Sequence, residues 1–256
     1  MDNQEFSGRT ALITGAASGI GAALVRWLDT RGIETVVAVD CDEAGLNALH
    51  PACRIERVVG DVADPQLWND VETRIGRLDH AFINAGIADG CPLVDQDFED
   101  WKRIQAVNLD GVFLGLRAAL RAMKKCGEGK SIVLTSSAAG IKPIAGTAAY
   151  GSSKAAVAHL ARIAAAEHAG DGIRINALAP GRVETPIWTK TAHFEERVKA
   201  LGSRDAALAE LAEDTSPLGG QFASAEEAAG QVGFLLSAAG NNITGTVLVN
   251  DAGFSL

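Results

Sequence analysis

Tyr150 is the only tyrosine in the chain, and Lys154 follows it in Tyr150-Gly151-Ser152-Ser153-Lys154. On a helix a spacing of four puts a phenol and an ammonium on one face. A phenol has an unperturbed pKa of about 10, and a nearby cation favours the phenolate, which brings proton exchange towards neutral pH. The pair is a candidate proton-transfer couple. The following run, Ala155-Ala156-Val157-Ala158-His159-Leu160-Ala161-Arg162, contains good helix formers and no breaker, so Tyr150 is expected near a helix start. There the macrodipole also favours an anion. In isolation, a tyrosine and a lysine so spaced are more often plain helix surface, so the rest of the chain must decide.

A second stretch with chemical potential is Gly15-Ala16-Ala17-Ser18-Gly19-Ile20-Gly21. It lies between a predicted strand, Thr10–Thr14, and a helix predicted from about Ala22 to Thr30. A glycine-rich turn in that context lets the backbone approach a pyrophosphate and presents helix N–H groups to it. The alternative, glycines kept only for tight packing, is less favoured because the strand–turn–helix context is the required one. Asp40 ends the next predicted strand, Thr35–Val39, about 20 residues beyond the turn. Its carboxylate is placed to accept hydrogen bonds from adenosine ribose hydroxyls and to repel a 2′-phosphate. No Lys or Arg stands in the turn or directly after Asp40, so NAD is expected over NADP. Asp61, at the end of a third strand over Ile55–Val59, either meets the adenine amino group or caps the next helix; the first reading is preferred.

The elements that would position these groups alternate β-rich runs with amphipathic stretches. That pattern indicates an α/β fold, a Rossmann-like doubly wound parallel sheet of about seven strands with helices on both faces. A helix is predicted over Pro65–Ile75 and a strand over Asp79–Ile83, ending in Asn84-Ala85-Gly86 at the carboxyl edge, where ligands bind in open α/β sheets. A long helix from about Phe98 to Lys125 carries Asn108 at an awkward interior position; a local distortion there would mark a functional role. Ser131–Leu134 is the next strand, followed by the hydroxyl-rich Thr135-Ser136-Ser137. A sixth strand, Ile173–Leu178, leads into a shaped loop through Pro180, Gly181 and Pro186. The stretch 187–222 is less regular, with Trp188 and Phe194 reading as exposed. They suit either a substrate cover or a satellite apolar cluster. A helix over Ala225–Ser237 and a strand over Thr246–Asn250 close a chain read as one domain, 1–256.

The 256 residues are 47% hydrophobic and 21% charged, globular values. A net charge of -9 argues against nucleic acid or an anionic membrane as the main partner. The N-terminus lacks the apolar core of a secretory signal, and no apolar run approaches the roughly 20 residues of a membrane span. Cys41, Cys53, Cys91 and Cys126 form no Cys-x-x-Cys pair, and the five histidines have no metal-ligand spacing. Reduced thiols, no metal and a cytoplasmic location are expected.

Together these residues resemble the short-chain dehydrogenase/reductase family over nearly the whole chain. Thr14-Gly15-Ala16-Ala17-Ser18-Gly19-Ile20-Gly21, Asn84-Ala85-Gly86, Asn108, Ser137, Tyr150-x-x-x-Lys154 and Pro180-Gly181 follow in the family's order. The C-terminal Ile243-Thr244-Gly245 and Asp251-Ala252-Gly253 are also similar. Two departures stand out: Ile83 replaces the asparagine often found before Asn84, and Gly220 follows Pro217-Leu218-Gly219 where arginine is usual. The first concerns the sheet; the second bears on the cover or on assembly. The resemblance implies that Tyr150 is the general acid/base, that Lys154 lowers its pKa and binds the nicotinamide ribose, that Ser137 holds the substrate oxygen, and that Asn108 anchors a water relay. It implies cofactor contacts at Thr14, Gly15, Ser18, Gly19, Ile20, Gly21, Asp40, Asp61, Val62, Asn84, Ala85, Gly86, Tyr150, Lys154, Pro180, Gly181, Val183 and Thr185. With the alanine-rich helix, it also implies a homotetramer.

The expected activity is NAD-dependent interconversion of a secondary alcohol and a ketone, with a substrate largely apolar around the carbinol. Gly90, Cys91, Ala138, Ile144, Ile187, Trp188 and Phe194 are candidate walls. A 3-oxoacyl-thioester reductase would need a basic docking patch; Arg117, Arg121, Lys124 and Lys125 are basic, but a solvated helix face accounts for them. A catalytically silent NAD-binding regulator is the alternative outside enzymology. It would have no need for Ser137, Tyr150, Lys154 and Asn108 together.

Overall fold

The computed structural model describes residues 4–88, 90–124, 127–213, 217–218 and 222–256. Its strands are β1 (Thr10–Thr14), β2 (Thr35–Asp40), β3 (Arg54–Val59), β4 (His80–Ile83), β5 (Lys130–Thr135), β6 (Ile173–Pro180) and β7 (Val247–Asn250). They form one sheet in the order β3-β2-β1-β4-β5-β6-β7, and every pairing is parallel. The strand order reverses beside β1, so a crevice opens at the carboxyl ends of β1 and β4.

Successive strand residues point to opposite faces, and in the central strands both faces are apolar. Leu12, Val37 and Val39 enter one buried cluster, while Ala11, Ile13, Val36 and Ala38 enter the other. The second cluster is covered by α1 (Gly19–Asp29) and α10 (Ala225–Leu236), whose Leu24, Leu28, Val232 and Leu235 are buried. The first is covered by α3 (Pro65–Arg74), α5 (Gly111–Met123) and α6 (Ala148–His168), through residues such as Trp68, Val71, Leu116 and Val157. Burying a side chain of this size is worth about 1.5–3 kcal/mol, so two such clusters fix the register of every strand and hence the level of every strand end.

The remaining helices are α2 (Glu43–Asn47), α4 (Phe98–Gln105), α7 (Pro186–Thr189), α8 (Ala192–Leu201) and α9 (Arg204–Glu213). The predicted long helix is present as α4 and α5, joined by a π-helical segment over Ala106–Asp110 that contains Asn108. The less regular stretch 187–222 carries most of α7, with α8 and α9. Among the described residues no helix is long and apolar enough to cross a membrane.

Candidate active site

The glycine turn leaves β1 and enters α1 with Gly15 at φ +65° and Gly19 at φ +52°, a region L side chains rarely adopt. A Cβ on Gly21 would stand 2.0 Å from the Gly15 carbonyl oxygen, so helix and turn touch through backbone. Ser18 caps α1 in an extended conformation without a side-chain cap bond, and no acidic residue occupies the first turn. The first-turn amides and the Ser18 hydroxyl therefore suit a pyrophosphate, with the positive end of the helix behind them. Thr185 approaches from across the cleft: its Cγ2 lies 3.1 Å from the Cβ position of Gly19. Val183 is buried behind it, bridged to Ala223.

Asp40 binds the turn directly. One carboxylate oxygen accepts from Ala17 N at 2.9 Å and the other from Asp42 N at 3.0 Å. Asp61 is exposed and accepts from Ala63 N at 2.9 Å, whereas the cap of α3 is Asp64, which accepts from Gln66 N. The capping role weighed for Asp61 thus belongs to Asp64. Val62 is buried beside it.

Side chains lock the strand ends together. Thr14 Oγ1 accepts from Asn84 N at 2.8 Å and from Ala85 N at 3.0 Å. Asn84 donates to the carbonyls of Thr14 and Gly15 and accepts from Thr135 Oγ1 at 3.1 Å. Ile83, the departure noted above, is buried in the core, consistent with a sheet role.

Ser137, Tyr150, Lys154 and Asn108 converge on this edge. Tyr150 is the third residue of α6, as its predicted place near a helix start requires. Ser137 caps the short 3₁₀ turn Ala138–Gly140, which lies hard against α6: a Cβ on Gly140 would stand 2.7 Å from Ala155 N. The Ser136 hydroxyl donates to the Lys154 carbonyl at 2.8 Å, a second tie between β5 and α6. Lys154 is buried, and its Nζ donates to the Thr135 carbonyl at 3.0 Å. Asn108 is buried with both amide ends used: Oδ1 accepts from Ile87 N at 2.9 Å, and Nδ2 donates to Ile87 O at 2.9 Å and Ser153 Oγ at 3.2 Å. The Cβ position of Gly86 is 3.1 Å from Lys154 Nζ and 3.2 Å from Asn108 Oδ1. A side chain there would fill the space next to the ammonium.

Electrostatically the couple differs from the sequence reading. Burial pushes the Tyr150 phenol above its ordinary value, and a hydrogen bond with Ser137 opposes the rise. Burial also takes the Lys154 ammonium down to about 8. The net lowering of the phenol expected from Lys154 is not met, because burial is the larger effect; Nζ donates to a main-chain carbonyl and lies 5.7 Å from the phenol ring centroid. Ser137 is the group that favours the phenolate here.

The candidate walls separate into two groups. Ala138 is buried beside Ser137, Cys91 is half-buried and donates through its amide to Gly146 O, and Ile144, Ile187 and Trp188 keep exposed surface. Gly90 is exposed with nothing near its Cβ position. Phe194 corrects its reading as an exposed residue: it is 3% exposed, lies under the Arg204 guanidinium and belongs to the packing of α8. Trp188 meets Phe222 edge to face, with Arg182 over both rings. Among the described residues no cluster of three or more His, Cys, Asp or Glu could hold a metal ion. Cys126, Lys125, Gly219 and Gly220, named from the sequence, lie outside the described residues.

Sequence reasoning missed Ile87 and the carbonyl role of Thr135. Both act through main-chain atoms, which carry no residue-type signal.

Comparisons with known proteins show the family and the fold. A family model described as "Enoyl-(Acyl carrier protein) reductase" matches residues 15–255. The chain is 36% identical to a cis-4-hydroxycyclohexanecarboxylate dehydrogenase of Sinomonas cyclohexanicum, covering 98% of each. It is 34% identical to a 2,5-dichloro-2,5-cyclohexadiene-1,4-diol dehydrogenase of Sphingobium indicum, again over 98% of each. Among solved structures, L-sorbose reductase from Gluconobacter frateurii, complexed with NADPH and L-sorbose, aligns with a TM-score of 0.92 at 26% identity over 99% of this chain and 98% of that one.

Proposed function

The chain belongs to the short-chain dehydrogenase/reductase family, and we propose that within it the protein is an NAD-dependent oxidoreductase interconverting a cyclic secondary alcohol and its ketone. The carrying observation is the pairing of Tyr150 with Ser137, and of Lys154 and Asn108 with the space at Gly86, at one sheet edge beside a glycine turn whose helix end is free for a pyrophosphate. The family's activity is dehydrogenase or reductase chemistry on CH–OH groups with a nicotinamide dinucleotide. The preference for NAD is the finer proposal, and it rests on Asp40 at the turn. The cyclic substrate is inferred from the names of the two ring-alcohol dehydrogenases and from the apolar walls Ala138, Ile144, Ile187 and Trp188.

In this reading the bound dinucleotide supplies the hydride acceptor. Thr14, Gly15, Ser18, Gly19, Ile20 and Gly21 hold its phosphates, Asp40 the adenosine ribose, and Asp61 and Val62 the adenine. Asn84, Ala85, Gly86, Pro180, Gly181, Val183 and Thr185 line the path to the nicotinamide. Ser137 Oγ holds the substrate oxygen, and Tyr150 Oη takes its proton during oxidation and returns it during reduction. Lys154 binds the nicotinamide ribose and adds positive charge beside the phenol. Asn108 joins the helix to Ile87 and keeps the proton route open behind Lys154. The chain is read as one domain, 1–256, with 187–222 covering the substrate, acting in the cytoplasm as a homotetramer. The outward Phe98, Phe113 and Ile163 of α4, α5 and α6 support assembly.

The thioester alternative finds less support. Arg121 pairs with Glu72, Lys124 with Asp171, and Arg117 sits over Phe113, so these cations are already engaged. The test is NADH formation from NAD with cis-4-hydroxycyclohexanecarboxylate, cyclohexanol and a 3-hydroxyacyl thioester, alongside Tyr150→Phe. Turnover of a ring alcohol that falls about 10²–10⁴-fold in the variant, with NAD binding kept, supports the reading. Turnover of the thioester alone would replace the substrate class, and an active Tyr150→Phe enzyme would refute the mechanism.

A further inference from the structure

The C-terminal turn 251–256 follows β7 and packs against segments that leave the carboxyl edge of the sheet. Asp251 is buried and clamps the last turn: one oxygen accepts from Gly253 N and the other from Ser255 N, both at 2.9 Å. Directly after Asp251, Ala252 takes φ +53°, the only positive φ at a non-glycine residue among those described, so the turn is held against a backbone preference. Each part of this turn touches a different segment of the chain. Asp251 packs on Gly181, whose amide donates to Asn250 O at 2.7 Å. The Ala252 carbonyl accepts from Leu218 N at 3.1 Å, at the far end of the cover. The Phe254 carbonyl accepts from Lys142 Nζ at 2.7 Å, and the same ammonium lies 4.6 Å from the Phe254 ring centroid.

Lys142 carries this contact to the reacting end. Its amide and that of Ile141 both donate to the Ala138 carbonyl, one residue beyond Ser137. The loop 138–147 returns to Tyr150 through Gly146, which accepts from Cys91 N. A charge-assisted hydrogen bond reinforced by a cation–π contact is stronger than an ordinary surface contact.

We propose that the tail 251–256 is a strut that sets the Ser137 turn and the end of the cover for substrate, with Lys142 as its positioning residue. The proposal rests on the reading of Ser137 and Tyr150 as the alcohol site, and it assigns the tail to substrate binding, not to NAD binding.

The experiment compares full-length Lys142→Met, Lys142→Arg and a chain ending at Gly253 with the unaltered protein. Lys142→Met keeps the aliphatic length but loses donor and charge; Lys142→Arg keeps both. Amide hydrogen exchange in the free protein needs no turnover, so it reads the strut even if the ring-alcohol reading fails. Exchange at 138–147 is expected to accelerate about tenfold in Lys142→Met and in the shortened chain, as for loss of one bond to a charged group, and to return in Lys142→Arg. In an active enzyme the KM for cis-4-hydroxycyclohexanecarboxylate should rise by a similar factor, with the Kd for NAD unchanged. Unchanged exchange in Lys142→Met overturns the strut. An unchanged KM, or a Kd for NAD that rises in step with KM, overturns its assignment to substrate.

Discussion

Replacing Asp40 by Asn tests the cofactor reading most directly. The carboxylate stands at the glycine turn, bonded to Ala17 N and Asp42 N, and it remains partly exposed towards the cleft. A ribose hydroxyl donating to it makes a hydrogen bond to a charged group, worth about 1.5–3 kcal/mol, or roughly 10- to 150-fold in affinity. A 2′-phosphate would instead meet like charge. At about 4 Å one unit pair costs roughly 4 kcal/mol near a protein surface, and water and salt at a partly open position cut this to about 2 kcal/mol. NAD should therefore bind on the order of 10³ times more tightly than NADP. Asparagine retains one acceptor but no charge, so NAD should weaken by about 10-fold or more while NADP tightens by about 30-fold. Its single side-chain oxygen cannot hold both amides. Any loosening of the turn then penalises both dinucleotides alike, and the ratio of the two Kd values isolates the charge. Titration of each dinucleotide by protein fluorescence or calorimetry gives that ratio. Equal binding of NAD and NADP by the unaltered protein, or a variant whose ratio does not move, would refute the argument.

Two further substitutions probe the scaffold. Gly21→Ala drives a Cβ to 2.0 Å from the Gly15 carbonyl. It should cost about 1–3 kcal/mol by overpacking and lower Tm by several degrees. It should also weaken NAD, whereas Gly170→Ala, with nothing near its Cβ position, should be neutral; equal Tm and Kd for the two variants would contradict the close approach. At the opposite edge of the sheet, burial pushes the His80 imidazole down to about 4. The Ser131 hydroxyl donates to Leu236 O, so Ser131 Oγ accepts from His80 Nδ1. A folded pKa below the unfolded value of about 6.5 means the native state binds fewer protons. His80 therefore contributes its full stability above about pH 6.5 and loses it as pH falls towards 4, about 3 kcal/mol in all. Urea unfolding from pH 7 to 4 should show a slope shallower by one proton in His80→Leu, and parallel curves for the two proteins would contradict the assignment. Asp79 adds a loss in the same direction, because Arg77, Arg9 and the Thr10 amide outweigh burial and hold its carboxyl low.

The sheet was legible because strands buried on both faces must be apolar throughout, and Thr10–Thr14 and Thr35–Asp40 begin where their side chains require. The π-helical turn was legible in a different way. An asparagine in the middle of an apolar helix has two amide ends to satisfy, and the chain meets that demand by distorting the helix so that Asn108 grips both main-chain atoms of Ile87. Phe194 was misread because the pattern around it is irregular; it sits buried on α8 with Arg204, ten residues away, over its ring, a contact no local period encodes. The Tyr150–Lys154 couple shows the deeper limit. Helical spacing places the two side chains on one face, but it does not fix where the ammonium points. The Thr135 carbonyl takes that ammonium and Ser137 addresses the phenol. Those oxygens reach their places only because β5 ends level with α6, through the bonds among Thr14, Asn84 and Thr135 and the Ser136 tie. Residue types therefore singled out the candidate groups, while the register of the parallel sheet assigned their partners. A substitution at Thr135 that leaves its carbonyl in place should accordingly spare Lys154 and act on Asn84.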